Sequence, residues 1–221
     1  MSLRLTYPAQ DDIEYLTRRI AVVPDAPALD LELTIHARRP TRQPVGLHPI
    51  LRLPVAPGEL AIDSRFEFGM TYPAIPAPGI SRVAVGQRFS RLDAIPGISG
   101  GQVDYARLPK DTPTEEMLML CGVNGPVSVR YPSEHAVFRL TWDTGILPCC
   151  LLWPSDRSIA DPPWNQSFRG LGLEPIAAVF DAAREVALNE NPINAAGIAT
   201  CVSIAAGRPL VIRYRMEAHD D

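Results

Sequence analysis

The chain has 221 residues, 46% of them hydrophobic, and its 21 basic and 25 acidic side chains give a net charge of −4. A chain of this length can bury a sizeable core as one domain, and its single lysine, Lys110, and lack of any basic block argue against a nucleic-acid partner. No run of about 18 apolar residues occurs, and the opening "MSLRLTYPAQDD" has no apolar segment leading to a small-residue cleavage site, so the sequence reads as a soluble, cytoplasmic protein with no membrane association.

Prolines are about twice as frequent as in average proteins and are scattered through the chain, which breaks helices and tolerates short strands. Ile13 to Val23 reads as a strand. In "LDLELTIHA", Leu29, Leu31, Leu33 and Ile35 alternate with Asp30, Glu32, Thr34 and His36, the period of a half-buried strand with His36 on its polar face. Ile50 to Leu53 and Met117 to Cys121 continue the series. Between them, from Tyr72 to Lys110, "TYPAIPAPGI" and "IPGISGG" interrupt any period. A long functional loop over a sheet is expected there in preference to a linker, because neither flank looks able to close its own core. "HAVFRLTW" puts Ala136, Phe138, Leu140 and Trp142 together, and Cys149 to Trp153 follows as a strand. Ala177 to Leu188 has partial helical spacing, with Val179, Ala183, Val186 and Ala187 near one stripe. Ile198 to Ile204, and then Leu210, Ile212, Tyr214 and Met216 of "RPLVIRYRM", complete the set. Strands at such intervals, without alternating helices, predict an all-β antiparallel sandwich or barrel.

The four cysteines, Cys121, Cys149, Cys150 and Cys201, contain no C-x-x-C and read as buried thiols instead of a zinc site or a disulfide framework. No metal-ligand cluster and no cofactor motif is present.

Three segments carry the chemistry: "GLHPILRLP" around His48, "LPCCLLWPSDRSIADPPWNQSFRGLGLEP" with Glu174 near its end, and "SIAAGRPLVIRYRM". Together they resemble the aldose 1-epimerase or galactose mutarotase-like superfamily, which has a G-x-H-P strand, an L-P-x-x-x-x-W strand, a P-W-N loop and an L-G-L-E strand. The resemblance runs from Ile13 to Arg215. It implies a single domain over 1–221, an antiparallel β-supersandwich whose concave sheet holds a small-molecule carbohydrate. It also implies an isomerase of the aldose 1-epimerase type. Glu174 matches the base that takes the proton from the anomeric hydroxyl, and His48 matches the first of two histidines that grip the sugar near its ring oxygen. An apolar setting for Glu174 raises its proton affinity toward working pH; the structural reading of the same residue is a glutamate satisfied by a turn or by Arg169.

The departure from the family comes at the second histidine, which follows an aspartate: here Asp104 is followed by Tyr105, a weaker acid near neutral pH than an imidazole. His135 is a later alternative. The second functional reading is therefore a non-catalytic carbohydrate-binding module with a degenerate site. Sugar C–H faces stack on aromatic rings and sugar hydroxyls take planar polar partners, so Trp153, Trp164, Asn165 and Arg169 are the expected substrate contacts, with Asp104 and Tyr105 beside them. Each has a packing role as its alternative. Arg52 has the geometry for a sugar carboxylate or phosphate. Finally, family members carry several strands before the region that "IEYLTRRIAVV" resembles, and this chain has almost nothing there. The exposed sheet edge so created leads to the expectation of a homodimer.

Overall fold

A computed structural model describes all 221 residues. Strands dominate, and Arg184–Leu188 is the one α-helix. Two eight-stranded antiparallel sheets form the body. The first runs in the order Ser2–Thr6, Ile13–Val22, Ala28–Ala37, Leu210–Asp220, Ala136–Trp142, Val127–Tyr131, Leu60–Asp63 and Arg107–Leu108. The second runs Val45–Gly46, Arg169–Ala177, Cys149–Asp156, Leu118–Cys121, Phe68–Thr71 and Arg88–Phe89; Ile50–Arg52 also pairs with Arg169–Ala177, and Thr114–Glu115 with Cys149–Asp156.

The period-two alternation explains the sandwich. Leu31, Leu33 and Ile35 of the first sheet meet Leu118, Leu120, Leu171 and Leu173 of the second in one buried cluster, and each such side chain removed from water contributes about 1.5–3 kcal/mol. The opposite face of the second sheet carries another pattern. Met119, Leu151 and Ile176 on that face are covered by Val179, Phe180, Ala187, Ile193 and Ile198 from the segment after Ala177. That cover stops short of Trp153, which stays partly open, and so it positions the site described below. No helix is long and apolar enough to cross a membrane.

The antiparallel β-sandwich expected from the sequence is the architecture found, with four local differences. Ser2–Thr6, where almost nothing was expected, is a strand paired with Ile13–Val22; all five of its residues are exposed. The Tyr72 to Lys110 stretch is packed structure and not a loop over a sheet. Val83, Phe89, Leu92, Ile95, Tyr105 and Leu108 lie in the main core, and the stretch gives an edge strand to each sheet. Its short-strand pairs are too brief to show a period. The partial helix shrinks to Arg184–Leu188, because the strand before it extends through Ala177. Of Ile198 to Ile204, Val202–Ile204 is strand.

Candidate active site

Cross-strand register brings His48 and Glu174 together. Gly46 opposes Ile176 and Ile50 opposes Gly172, which sets His48 opposite Glu174. The backbone N–H of Leu47 donates to the Pro175 carbonyl, and that of Leu173 to the Pro49 carbonyl, each at 2.9 Å. Alternation sends Leu171 and Leu173 into the main core and Glu174 to the other face, where His48 Nε2 lies 3.4 Å from Glu174 Oε1.

Glu174 is 8% exposed. Burial among apolar neighbours pushes its carboxyl up to about 7; the facing His48 opposes this, and the charge of Asp181 adds to it. The carboxylate folds back along its own strand over Gly172. A Cβ on Gly172 would collide with Glu174 Oε1 and stand 3.0 Å from the Cβ of Trp153, so this glycine makes the room the carboxylate occupies.

Trp153 opposes Gly172 on the neighbouring strand and forms the wall beside the pair. Its ring meets the His48 ring edge-on at 5.9 Å and stacks on Phe168 at 5.5 Å, and Phe168 in turn meets Trp164 at 5.0 Å. One carboxylate fixes the indole: Trp153 Nε1–H donates to Glu115 Oε1 at 2.6 Å. Ser155 Oγ donates to Glu115 Oε2 at 2.6 Å, and the hydroxyl of Ser158 donates to the same oxygen. Tyr72 Oη donates to Asp181 Oδ1 at 2.9 Å. A cleft of about 250 Å³ is lined by Gly46, His48, Glu174, Ile176, Phe180 and Asp181. A larger groove, about 520 Å³, runs along the first sheet. Its acids Asp30 and Glu32 are already paired with Arg215 and Arg213, so it offers no free acid–base pair.

Solved structures share this arrangement of strands. A candidate aldose 1-epimerase from Escherichia coli K12 matches with a TM-score of 0.66 at 13% identity, over 100% of this chain and 65% of that one. A galactose mutarotase-like protein from Clostridium acetobutylicum matches with a TM-score of 0.62 at 8% identity, over 100% and 62%. A galactose mutarotase-like protein from Lactobacillus casei matches with a TM-score of 0.58 at 12% identity, over 99% and 69%. The chain has the galactose mutarotase-like fold. It spans less than two thirds of the first two proteins, 65% and 62% of their lengths. No protein-family model and no curated protein sequence matches it.

Within this fold, the residues picked from the sequence separate into two groups. His48, Glu174 and Trp153 share one face, and Trp164, 39% exposed, is joined to them through Phe168. Asn165 has a left-handed backbone, and its amide donates to the Pro163 carbonyl within its own loop at 3.3 Å.

The other four expected contacts lie elsewhere. Tyr105 is 1% exposed; it is a core residue whose hydroxyl donates to the buried Glu116 at 2.9 Å, and burial pushes that phenol far above its usual range. Asp104 caps a turn by accepting from the backbone of Ala106 at 2.7 Å. Arg169 points to the core side of its sheet, where its Nε donates to the fully buried Asp156 at 2.7 Å. Arg52 is paired with Glu134 and lies over the Tyr131 ring. None of the four lines the cleft. His135 is exposed in the turn between two strands of the first sheet.

Glu115, Asp181, Tyr72 and Phe168 were not singled out from the sequence. The alternation in "TEEMLML" does put Glu115 on one face with Met117 and Met119, a usable signal; Asp181 follows a non-periodic turn and has none. No group of three or more His, Cys, Asp or Glu side chains is placed to hold a metal ion.

Proposed function

We propose that the chain is a carbohydrate isomerase of the aldose 1-epimerase type, acting by acid–base chemistry on an uncharged aldose. The observation that carries this is the opposed His48–Glu174 pair, 3.4 Å apart beside an open cleft. A carboxyl held near 7 is divided between its ionised and neutral forms at neutral pH, so Glu174 can take the proton of the anomeric hydroxyl and return it. His48, on the same side of the cleft, hands a proton to the ring oxygen. The C1–O5 bond breaks, the carbonyl so formed turns about C1–C2, and reclosure delivers the other anomer, with the two protons passed back. The partly open indole of Trp153 supports the apolar face of the ring.

An uncharged sugar fits better than a phosphorylated one. The arginines closest in sequence to the site motifs, Arg52 and Arg169, are held by Glu134 and Asp156, and the cleft is lined by the acids Glu174 and Asp181 with His48 and by no arginine or lysine.

The test is polarimetric relaxation of freshly dissolved α-D-glucose, α-D-galactose and other α-aldoses, with Glu174→Gln alongside. Wild type faster than buffer, and a variant slowed about 10²–10⁴-fold while still binding sugar, supports the enzyme. The second reading, a carbohydrate-binding module, is favoured by Tyr105: the residue at the position expected for the second acid is turned into the core. Saturable binding with no acceleration on any sugar would decide for it.

A further inference from the structure

The cleft has a second pole that the acid–base pair does not use. Asp181 lines it together with His48 and Glu174, on the segment that leaves the Glu174 strand. Two features hold it there. Tyr72 lies beyond its own strand, its N–H donating to Met117 O at 3.2 Å. Its ring meets Phe180 edge-on at 5.2 Å, and its hydroxyl donates to one Asp181 oxygen at 2.9 Å. Phe180, immediately before Asp181, has φ of +51°, a left-handed backbone that a bulky residue adopts only where the surroundings impose it. Phe180 is itself buried against the sheet, in the cluster with Ile176 and Leu151. A strained turn followed by a tethered carboxylate is an arrangement that aims a side chain; an aspartate left to solvent needs neither.

We propose that Asp181, tethered by Tyr72, is a sugar-positioning residue that accepts hydrogen bonds from ring hydroxyls across the cleft from His48 and Glu174. Tyr72 occupies one oxygen of the carboxylate, and the exposed remainder is free to accept from a pair of neighbouring hydroxyls. This assignment rests on the sugar-binding reading of the cleft. It also fixes the ring between a reacting end at Glu174 and a non-reacting end at Asp181, so that the anomeric carbon lies at the His48 side. The charged and titratable groups around Glu174 are His48 on the adjacent strand, Asp181 on the segment after its own strand, and the buried thiol of Cys150 on the strand opposite. Of these, Asp181 holds the Glu174 proton more tightly by like-charge repulsion.

The experiment compares wild type with Asp181→Asn and Tyr72→Phe, both close to the native shapes. On the aldose with the fastest relaxation, Asp181→Asn is expected to raise KM about tenfold or more, the value of a hydrogen bond to a charged acceptor, with kcat changed far less. The acid limb of its kcat/KM profile should move to lower pH, because Glu174 ionises more readily once the neighbouring charge is gone. Tyr72→Phe is expected to raise KM less and to leave the limb in place. The limb shift follows from the lost charge alone; the rise in KM against a nearly unchanged kcat is the change that a purely structural Asp181 would not produce. Unchanged KM in Asp181→Asn, whether or not the limb moves, overturns the proposal and leaves the enzyme reading standing. If wild type accelerates no aldose, the enzyme reading fails alone, and binding decides: monosaccharide titrations followed by tryptophan fluorescence should show about tenfold weaker affinity in Asp181→Asn. Equal affinities, or no sugar bound by wild type, overturn the proposal.

Discussion

The carboxylate of Glu174 occupies the space above Gly172 where a side chain would begin, with Oε1 inside contact distance of the position a Cβ would take. Strand alternation alone would point Glu174 straight out of the sheet; the missing side chain two residues earlier lets it lie down toward Trp153. Gly172→Ala should therefore disturb the site more than the fold. A displacement of about 1 Å in a reacting group costs on the order of 10²-fold in rate, whereas one extra methyl on this face costs roughly 1–3 kcal/mol. Polarimetry and urea melts of the same preparation would show whether activity falls by far more than stability explains.

Glu174 also links the site to pH. Its folded-state carboxyl lies near 7, above the usual glutamate value, so the folded form holds a proton that the unfolded chain has lost. Its stabilising contribution is complete below about pH 4.3, the unfolded value, and is lost as pH rises through about 7. The loss is at most on the order of 3–4 kcal/mol. Glu174→Gln cannot ionise and escapes it. The difference in Tm between this variant and wild type should grow in favour of the variant from pH 5 to pH 8 and level off above; a difference independent of pH would mean that Glu174 is already ionised at pH 5.

Which parts of this were legible in the sequence follows from length scales. Leu29 to Ile35 and Leu210 to Met216 alternate long enough to declare strands and their inner faces, and the G-x-H-P and L-G-L-E segments mark His48 and Glu174. Their opposition depends on register between strands more than a hundred residues apart, which no local pattern encodes. Tyr105 shows the converse: its place after Asp104 suggested a site residue, yet it sits among two-residue strands too short to show which way it faces. Arg169, an expected sugar contact, and Arg52, with the geometry for a sugar carboxylate or phosphate, have partners that no local pattern shows: Asp156 and Glu134 lie 13 and 82 residues away.

Glu115 is expected to hold the indole wall. Its carboxylate accepts from Trp153, Ser155 and Ser158, and of these donors the indole can only donate, while a serine hydroxyl can turn and accept. Glu115→Gln should then be tolerated, its amide oxygen facing the indole and its NH₂ facing the serines. Glu115→Ala leaves the indole N–H and two hydroxyls without their acceptor, a loss of about 1–3 kcal/mol. The expected readout is a shift in tryptophan emission and a KM raised several-fold in the alanine variant, with both close to wild type in the glutamine variant. Equal behaviour of the two would place the indole under some other control.

Arg169 and Arg52 provide the test of substrate charge. Arg169 shares the fully buried Asp156 with Arg157. Removing one of two partners from a buried carboxylate forfeits charge-assisted hydrogen bonds worth about 1.5–3 kcal/mol each, so Arg169→Met should lower Tm. Arg157 remains to keep the charge paired, which spares the fold. Because the Arg169 side chain faces the core side of the sheet, KM for a neutral aldose should stay at the wild-type value in the folded variant. Arg52→Ala removes an exposed pair with Glu134, a contribution of about 0–1 kcal/mol, and should leave both stability and KM nearly unchanged. The same two variants assayed on glucose 6-phosphate discriminate sharply. A phosphate held by either arginine would make the phosphorylated sugar the better wild-type substrate and abolish that preference in the variant. With both cations committed to carboxylates and Glu174 and Asp181 lining the cleft, the expected result is glucose 6-phosphate turned over more slowly than glucose by wild type, and by the same ratio in Arg169→Met and Arg52→Ala.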